Sequence, residues 1–150
     1  MLSRTEQRLI TLPLMPPRNR KLIIVGWNNE KSWLPEDDLE PYTKNGAGER
    51  LYAMVNDVTQ LTKEEYMKRV ELINFRRVGP GETKERICRR PAVILGVETW
   101  YSLRYPQAAM WTSSRGAWLV PHPSGKNRIY NSEVARLNTG RLIARLAGLS

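Results

Sequence analysis

This chain is almost without the residues that build metal sites: among its 150 residues there is one cysteine, Cys88, and one histidine, His122. A single cysteine closes no internal disulfide, and one Cys with one His cannot assemble a Cys/His metal centre. Zinc-dependent deaminases and iron–sulfur glycosylases are excluded by that count. No apolar run approaches the roughly 18 residues that span a bilayer. The opening stretch Met1-Leu2-Ser3-Arg4-Thr5-Glu6-Gln7-Arg8 leads into nothing that resembles a secretory signal. These absences predict a cytoplasmic protein with no membrane partner and no metal. Acidic residues are scarce in one half only. Residues 1–75 hold 11 Lys/Arg and 11 Asp/Glu, whereas residues 76–150 hold 13 Lys/Arg and 4 Asp/Glu, so the net +9 lies wholly in the second half. Eleven of those cations are arginines, whose planar fork donates two hydrogen bonds to one phosphate. A one-sided basic surface suits a phosphate backbone; the blander reading is a solvated face that aids solubility.

What is present reads as one ordinary domain. Hydrophobic residues make up 41% and charged residues 26%, enough for a real core and too apolar for a disordered chain. No repeat, linker or low-complexity tract divides it, so residues 1–150 form a single domain with 1–20 as an N-terminal extension. Lys21-Leu22-Ile23-Ile24-Val25-Gly26 and Pro91-Ala92-Val93-Ile94-Leu95-Gly96 are apolar runs closed by glycine, the pattern of buried parallel strands. Residues 71–75 and 117–120 supply two more strands, the last running into Pro121-His122-Pro123. Helices are expected over 49–58, from the capping box Thr62-Lys63-Glu64-Glu65 onward, over 97–104 and over 132–147. Residues 27–48 and 76–90 read as loops, the latter with room for one helical turn. Gly140 interrupts the closing helix at a cost of about 1 kcal/mol against alanine. The pattern predicts a three-layer α/β/α fold around a central, mostly parallel four-stranded sheet.

In open α/β sheets, ligands bind beyond the C-terminal ends of the strands. That edge receives Gly26-Trp27-Asn28-Asn29 from the first strand, Asn74 from the second, and Pro121-His122-Pro123-Ser124-Gly125 from the fourth. The only histidine thus falls on the predicted functional rim.

Pro121-His122-Pro123-Ser124-Gly125-Lys126-Asn127-Arg128 resembles the His-Pro-Ser loop of the uracil-DNA glycosylase superfamily. Its Ser-Gly continuation is closest to the mismatch-specific uracil/thymine branch, whose loop begins Asn-Pro-Ser-Gly. Gly26-Trp27-Asn28-Asn29 resembles that branch's first motif, Gly-x-Asn-Pro-Gly, and the helix start Gly48-Glu49-Arg50-Leu51 and Asn74 fall in the family's order. The resemblance covers roughly residues 21–147. It departs at Asn29 and Glu30, which replace the family's proline and glycine beside the base pocket.

The resemblance implies a monofunctional DNA glycosylase that needs no metal or cofactor. Such an enzyme flips a nucleotide from the stack and hydrolyses its N-glycosidic bond through an oxocarbenium-like sugar. Asn28 would hold the attacking water and His122 would donate to a base carbonyl as negative charge builds there. Ser124 and Gly125 would bind a phosphate, and Lys126, Asn127 and Arg128 would enter the groove. Trp27, Trp33 and Tyr42 offer stacking surfaces, and Asn74 an amide to read the base edge. Trp100, Trp111 and Trp118 are expected in or near the core.

Each assignment has a plainer counterpart. Asn28 could cap a turn, Asn74 could satisfy backbone groups at a strand end, and Ser124-Gly125 could be an ordinary turn. The substrate would be uracil or a modified pyrimidine, in DNA repair. The departures at Asn29 and Glu30 leave open a bulkier, glycosylated hydroxymethylcytosine in viral DNA, removed as antiviral defence. A non-catalytic DNA-binding module is the competing class. A domain for free mononucleotides is disfavoured by the lack of a Gly-rich phosphate loop ending in Lys-Ser/Thr. Nothing signals an oligomer, so a monomer is expected.

Overall fold

Apolar runs too short for helices bury both of their faces by entering a sheet. In the computed structural model, which describes residues 21–27, 39–124 and 127–149, the first such run forms β1 (Leu22–Gly26), every residue of it buried. β1 pairs in parallel with β2 (Val70–Asn74) on one edge and β3 (Ala92–Leu95) on the other. Beyond β3 lie a two-residue strand β4 (Ser113–Ser114) and β5 (Ala117–Val120). β5 is parallel to β3 and antiparallel to β4, giving the order β2-β1-β3-β5-β4. The mostly parallel sheet predicted from sequence is present, but among the described residues it has five strands rather than four. The added strand is made by a two-residue hairpin: Arg115 and Gly116 both take positive φ, +54° and +86°, as the tightest antiparallel turn requires.

Alternation along β1 divides the core. Leu22 and Ile24 face one cluster with Leu51, Met54, Val55, Tyr66 and Ile143. Ile23 and Val25 face another with Ile73, Phe75, Ile87, Trp100 and Leu103. The first is covered by α1 (Ala47–Thr59), α2 (Lys63–Arg69) and α6 (Glu133–Leu146), the second by α3 (Phe75–Val78), α4 (Pro80–Ile87) and α5 (Val97–Ser102). The capping box opens α2 as predicted, with Glu65 N–H donating to Thr62 Oγ1 at 3.1 Å. Where the sequence predicts a loop over 76–90, the chain forms α3 and α4. Gly79, at φ +88°, bends the chain between them, and Pro80 occupies the first turn of α4, where its missing N–H is harmless. Phe75 opens α3 instead of ending the strand. Among the described residues no helix is long and apolar enough to cross a membrane.

α1 and α6 run against each other on one face, and at their crossing a Cβ on Gly140 would collide with the Met54 carbonyl. The glycine that weakens the isolated helix is thus the notch that lets the two backbones meet. Gly140→Ala gains about 1 kcal/mol of helix propensity but overpacks a backbone contact, which costs about 1–3 kcal/mol. We expect the variant to unfold at lower temperature and lower urea than the parent. An equal or raised midpoint would mean that the helices do not meet at this glycine.

Candidate active site

The strand order fixes where a cleft opens. From β1 the chain leaves through α1 and α2 on one face and comes to β2; from β3 it leaves through α5 on the other face and comes to β5. Between β1 and β3 the two connections part, which is the switch point where open α/β sheets bind ligands. A cleft of about 680 Å³ lies there. One wall is Trp27 from the end of β1 with Asn45, Ala47 and Arg50 from the start of α1. The other is the Leu95–Thr99 turn after β3, with Met110, Pro121, His122, Ser124 and Asn127.

Sheet register delivers these residues. Gly26 pairs with Asn74, so the next residues, Trp27 and Phe75, come face to face. Their rings stack with centroids 5.6 Å apart, and the Arg76 guanidinium lies 5.7 Å from the Trp27 ring centre. Leu95 pairs with Val120, and Gly96 N–H donates to the Val120 carbonyl at 2.8 Å. The chain therefore leaves β5 beside Gly96, whose φ is +91°. A Cβ there would stand 3.3 Å from His122 Cβ. Behind Trp27, the Leu39 side chain occupies the space above Gly26, and the Leu39 carbonyl lies against Gly48 at the start of α1.

His122 is half-buried between the buried Pro121 and Pro123. Its loop is held from both sides. Asn127 Nδ2 donates to the His122 carbonyl at 2.9 Å, while Asn127 Oδ1 accepts from Ile129 N–H at 3.2 Å. Asn127 N–H donates to the Ser124 carbonyl at 3.1 Å. The Tyr130 hydroxyl donates to the Pro121 carbonyl at 2.6 Å and lies 3.0 Å from Thr139 Oγ1, which also accepts from Trp111 Nε1 at 2.9 Å. Burial pushes the Tyr130 phenol up to about 12, with the Thr139 hydrogen bond acting the other way.

Of the residues predicted from sequence, the structure brings Trp27, His122, Ser124 and Asn127 into one cleft. Asn28, Trp33, Gly125 and Lys126 lie outside the described residues. Asn74 is buried at the end of β2, does not line the cleft, and precedes α3 as its cap residue. Tyr42 is half-exposed at 51%, its ring beside Lys63 rather than in the cleft. Arg128 is exposed at the start of the 3-10 turn Arg128–Asn131. Trp100 is fully buried in the core as expected, and Trp111 and Trp118 are partly buried. Sequence reasoning did not single out Asn45, Glu98 or Thr99 in the lining; Arg50 appeared only as part of a helix start. None of them carries a motif, and only the folded chain brings them together.

Compared with protein-family models, curated proteins and solved structures, the chain matched none.

Gly96→Ala forces a side chain into the left-handed region and toward His122. It should lower stability by about 1–2 kcal/mol and shift the ring signals of the single histidine in proton NMR; unchanged signals would separate Gly96 from the loop. Tyr130 supplies a second expectation. The unfolded phenol ionises near 10, the folded one only at about 12. Its contribution to stability is therefore complete below pH 10 and is lost as pH rises through the folded value. Tyr130→Phe should flatten the fall of stability between those values in urea titrations, and an unaltered slope would remove Tyr130 as a source.

Proposed function

We propose that this chain is a DNA glycosylase, which hydrolyses the N-glycosidic bond of a flipped-out uracil or modified pyrimidine and leaves an abasic site. One observation carries the reading. Trp27, inside the first motif, and the His122–Ser124 loop are about 95 residues apart in sequence, yet they line the same cleft at the switch point of the sheet. Described residues of the two segments on which the resemblance to the uracil-DNA glycosylase superfamily rests thus border one cleft.

In this mechanism the C–N bond breaks with its electron pair going to the base, and a water oxygen bonds to the sugar carbon. His122 donates a hydrogen bond to the base carbonyl that gains negative charge, in a half-buried position where such a bond counts for more than in water. Asn28, directly after Trp27 in the chain, holds the water. An amide is a poor base, but a dissociative reaction asks mainly for position. The water's proton leaves from the oxygen once it has bonded to the sugar, and the departing base is finally protonated. Ser124 contacts a phosphate, and Arg128, exposed after the loop, meets the backbone with the other arginines of the basic half. Trp27, stacked on Phe75, gives a flat apolar wall for a base.

The cleft volume supports a second reading of the substrate, since 680 Å³ leaves ample room beyond a pyrimidine ring. A bulky glycosylated hydroxymethylcytosine would use that space, in a defence role against viral DNA.

Labelled strands containing uracil, mismatched thymine, hydroxymethylcytosine or its glucosylated form, incubated without metal and then heated in alkali, test both. Cleavage at one base is expected, falling roughly 100–1,000-fold in His122→Ala, the usual effect of losing a donor to a developing oxyanion, and falling also in Asn28→Ala. DNA binding that weakens with salt, without cleavage of any strand, would replace the enzyme with a binding module.

A further inference from the structure

A chain of hydrogen bonds runs from the interior to the peptide that carries His122, and its direction is fixed by chemistry. The Trp111 indole N–H can only donate, and the Pro121 carbonyl can only accept. Tyr130 has one hydroxyl proton, and it goes to Pro121 at 2.6 Å. The 3.0 Å contact between Tyr130 and Thr139 must then be donated by the Thr139 hydroxyl, whose oxygen accepts from Trp111 at 2.9 Å. The order is Trp111 to Thr139 to Tyr130 to Pro121, every proton assigned.

The members are unusual for their places. Thr139 is fully buried inside α6, where a hydroxyl without partners would be penalised. Trp111 holds a left-handed backbone, φ +60°, which bulky residues rarely adopt, and its own N–H is tied to the Leu119 carbonyl at 2.7 Å. Tyr130 is further gripped by Arg136, whose guanidinium donates to the Tyr130 carbonyl at 2.7 Å. A strained aromatic and a buried threonine thus converge on one carbonyl, and that carbonyl precedes the cleft histidine. From its other side Asn127 holds the His122 carbonyl.

We infer that Thr139 and Tyr130 are positioning residues for His122: their hydroxyl relay, anchored on Trp111, fixes the Pro121–His122 peptide and so aims the imidazole into the cleft. The inference rests on the glycosylase reading only for the reaction it would serve. The aim of the ring is a property of the protein alone.

His122 is the only histidine, so its ring signals in proton–carbon NMR of the full chain report on it without assignment work. Tyr130→Phe and Thr139→Val delete one hydroxyl each while keeping shape. Both should fold, shift the His122 signals in the same direction and broaden them; Thr139→Ser, which restores the hydroxyl, should return the signals toward the parent's. If base release is detected, both deletions should lower kcat by roughly 10- to 100-fold, the scale of small misplacements, with KM for DNA little changed. A stability loss with His122 signals unmoved in both variants would overturn the relay, whatever the activity. Shifted signals in a chain that releases no base would leave the relay standing and remove the glycosylase reading instead. Should Tyr130→Phe not fold, the Thr139→Val and Thr139→Ser pair decides alone.

Discussion

β1 is hydrogen-bonded on both edges and covered on both faces, so none of its five residues has any freedom of placement. A strand in that position sets the register of its neighbours, because a slip of one residue would exchange the side chains of the two core clusters. The pairing of Gly26 with Asn74 follows from it, and with that pairing comes the Trp27–Phe75 stack. The pairing of β3 with β1, and of β5 with β3, carries the same register across to Val120 and the loop of His122. The cleft is a consequence of that central strand. Its walls come from chain segments far apart in sequence, and the sheet register brings them together.

The two halves of the cleft are supported differently. The Trp27 side rests on apolar contact: an aromatic stack, and Leu39 filling the space over Gly26. The His122 side rests on directed hydrogen bonds, with Tyr130 on the preceding carbonyl and Asn127 on its own. Apolar packing tolerates small shifts of a wall, whereas hydrogen bonds lose strength quickly with angle and distance. The side that carries His122 is thus the side held by the more exacting interactions.

β1 and β3 were legible because burial on both faces leaves its mark in the sequence: short runs of Ile, Leu and Val ended by glycine. Helices α1 and α6 were legible from apolar spacing, and α2 from its capping box at Thr62. α3 and α4 were not. Of the eight residues of α4 only Thr83 and Ile87 are buried, too few to make a stripe, and the Gly-Pro-Gly run reads as a turn until the chain is seen to restart at Pro80. β4 has two serines and no apolar pattern, and it exists only because Arg115 and Gly116 turn the chain back. At the site, the His122 loop was visible through its residue types. The relay behind it was not, since Thr139 and Tyr130 look like ordinary members of a helix and a turn. Tyr42 shows the opposite failure, an aromatic in a loop whose ring ends up beside a lysine.

The notch at Gly140 has a consequence that concerns distance. Gly140 follows Thr139, which carries the relay toward His122; Met54, whose carbonyl fills the notch, sits one turn beyond Arg50 on the far wall of the cleft. Sliding one helix along the other would drive the neighbouring residues, each bearing a Cβ, into the space that only a glycine leaves open. The spacing of the two helices that carry Arg50 and Thr139 is therefore gauged by a single missing methyl group, and neither helix can slide along the other without first unseating that contact.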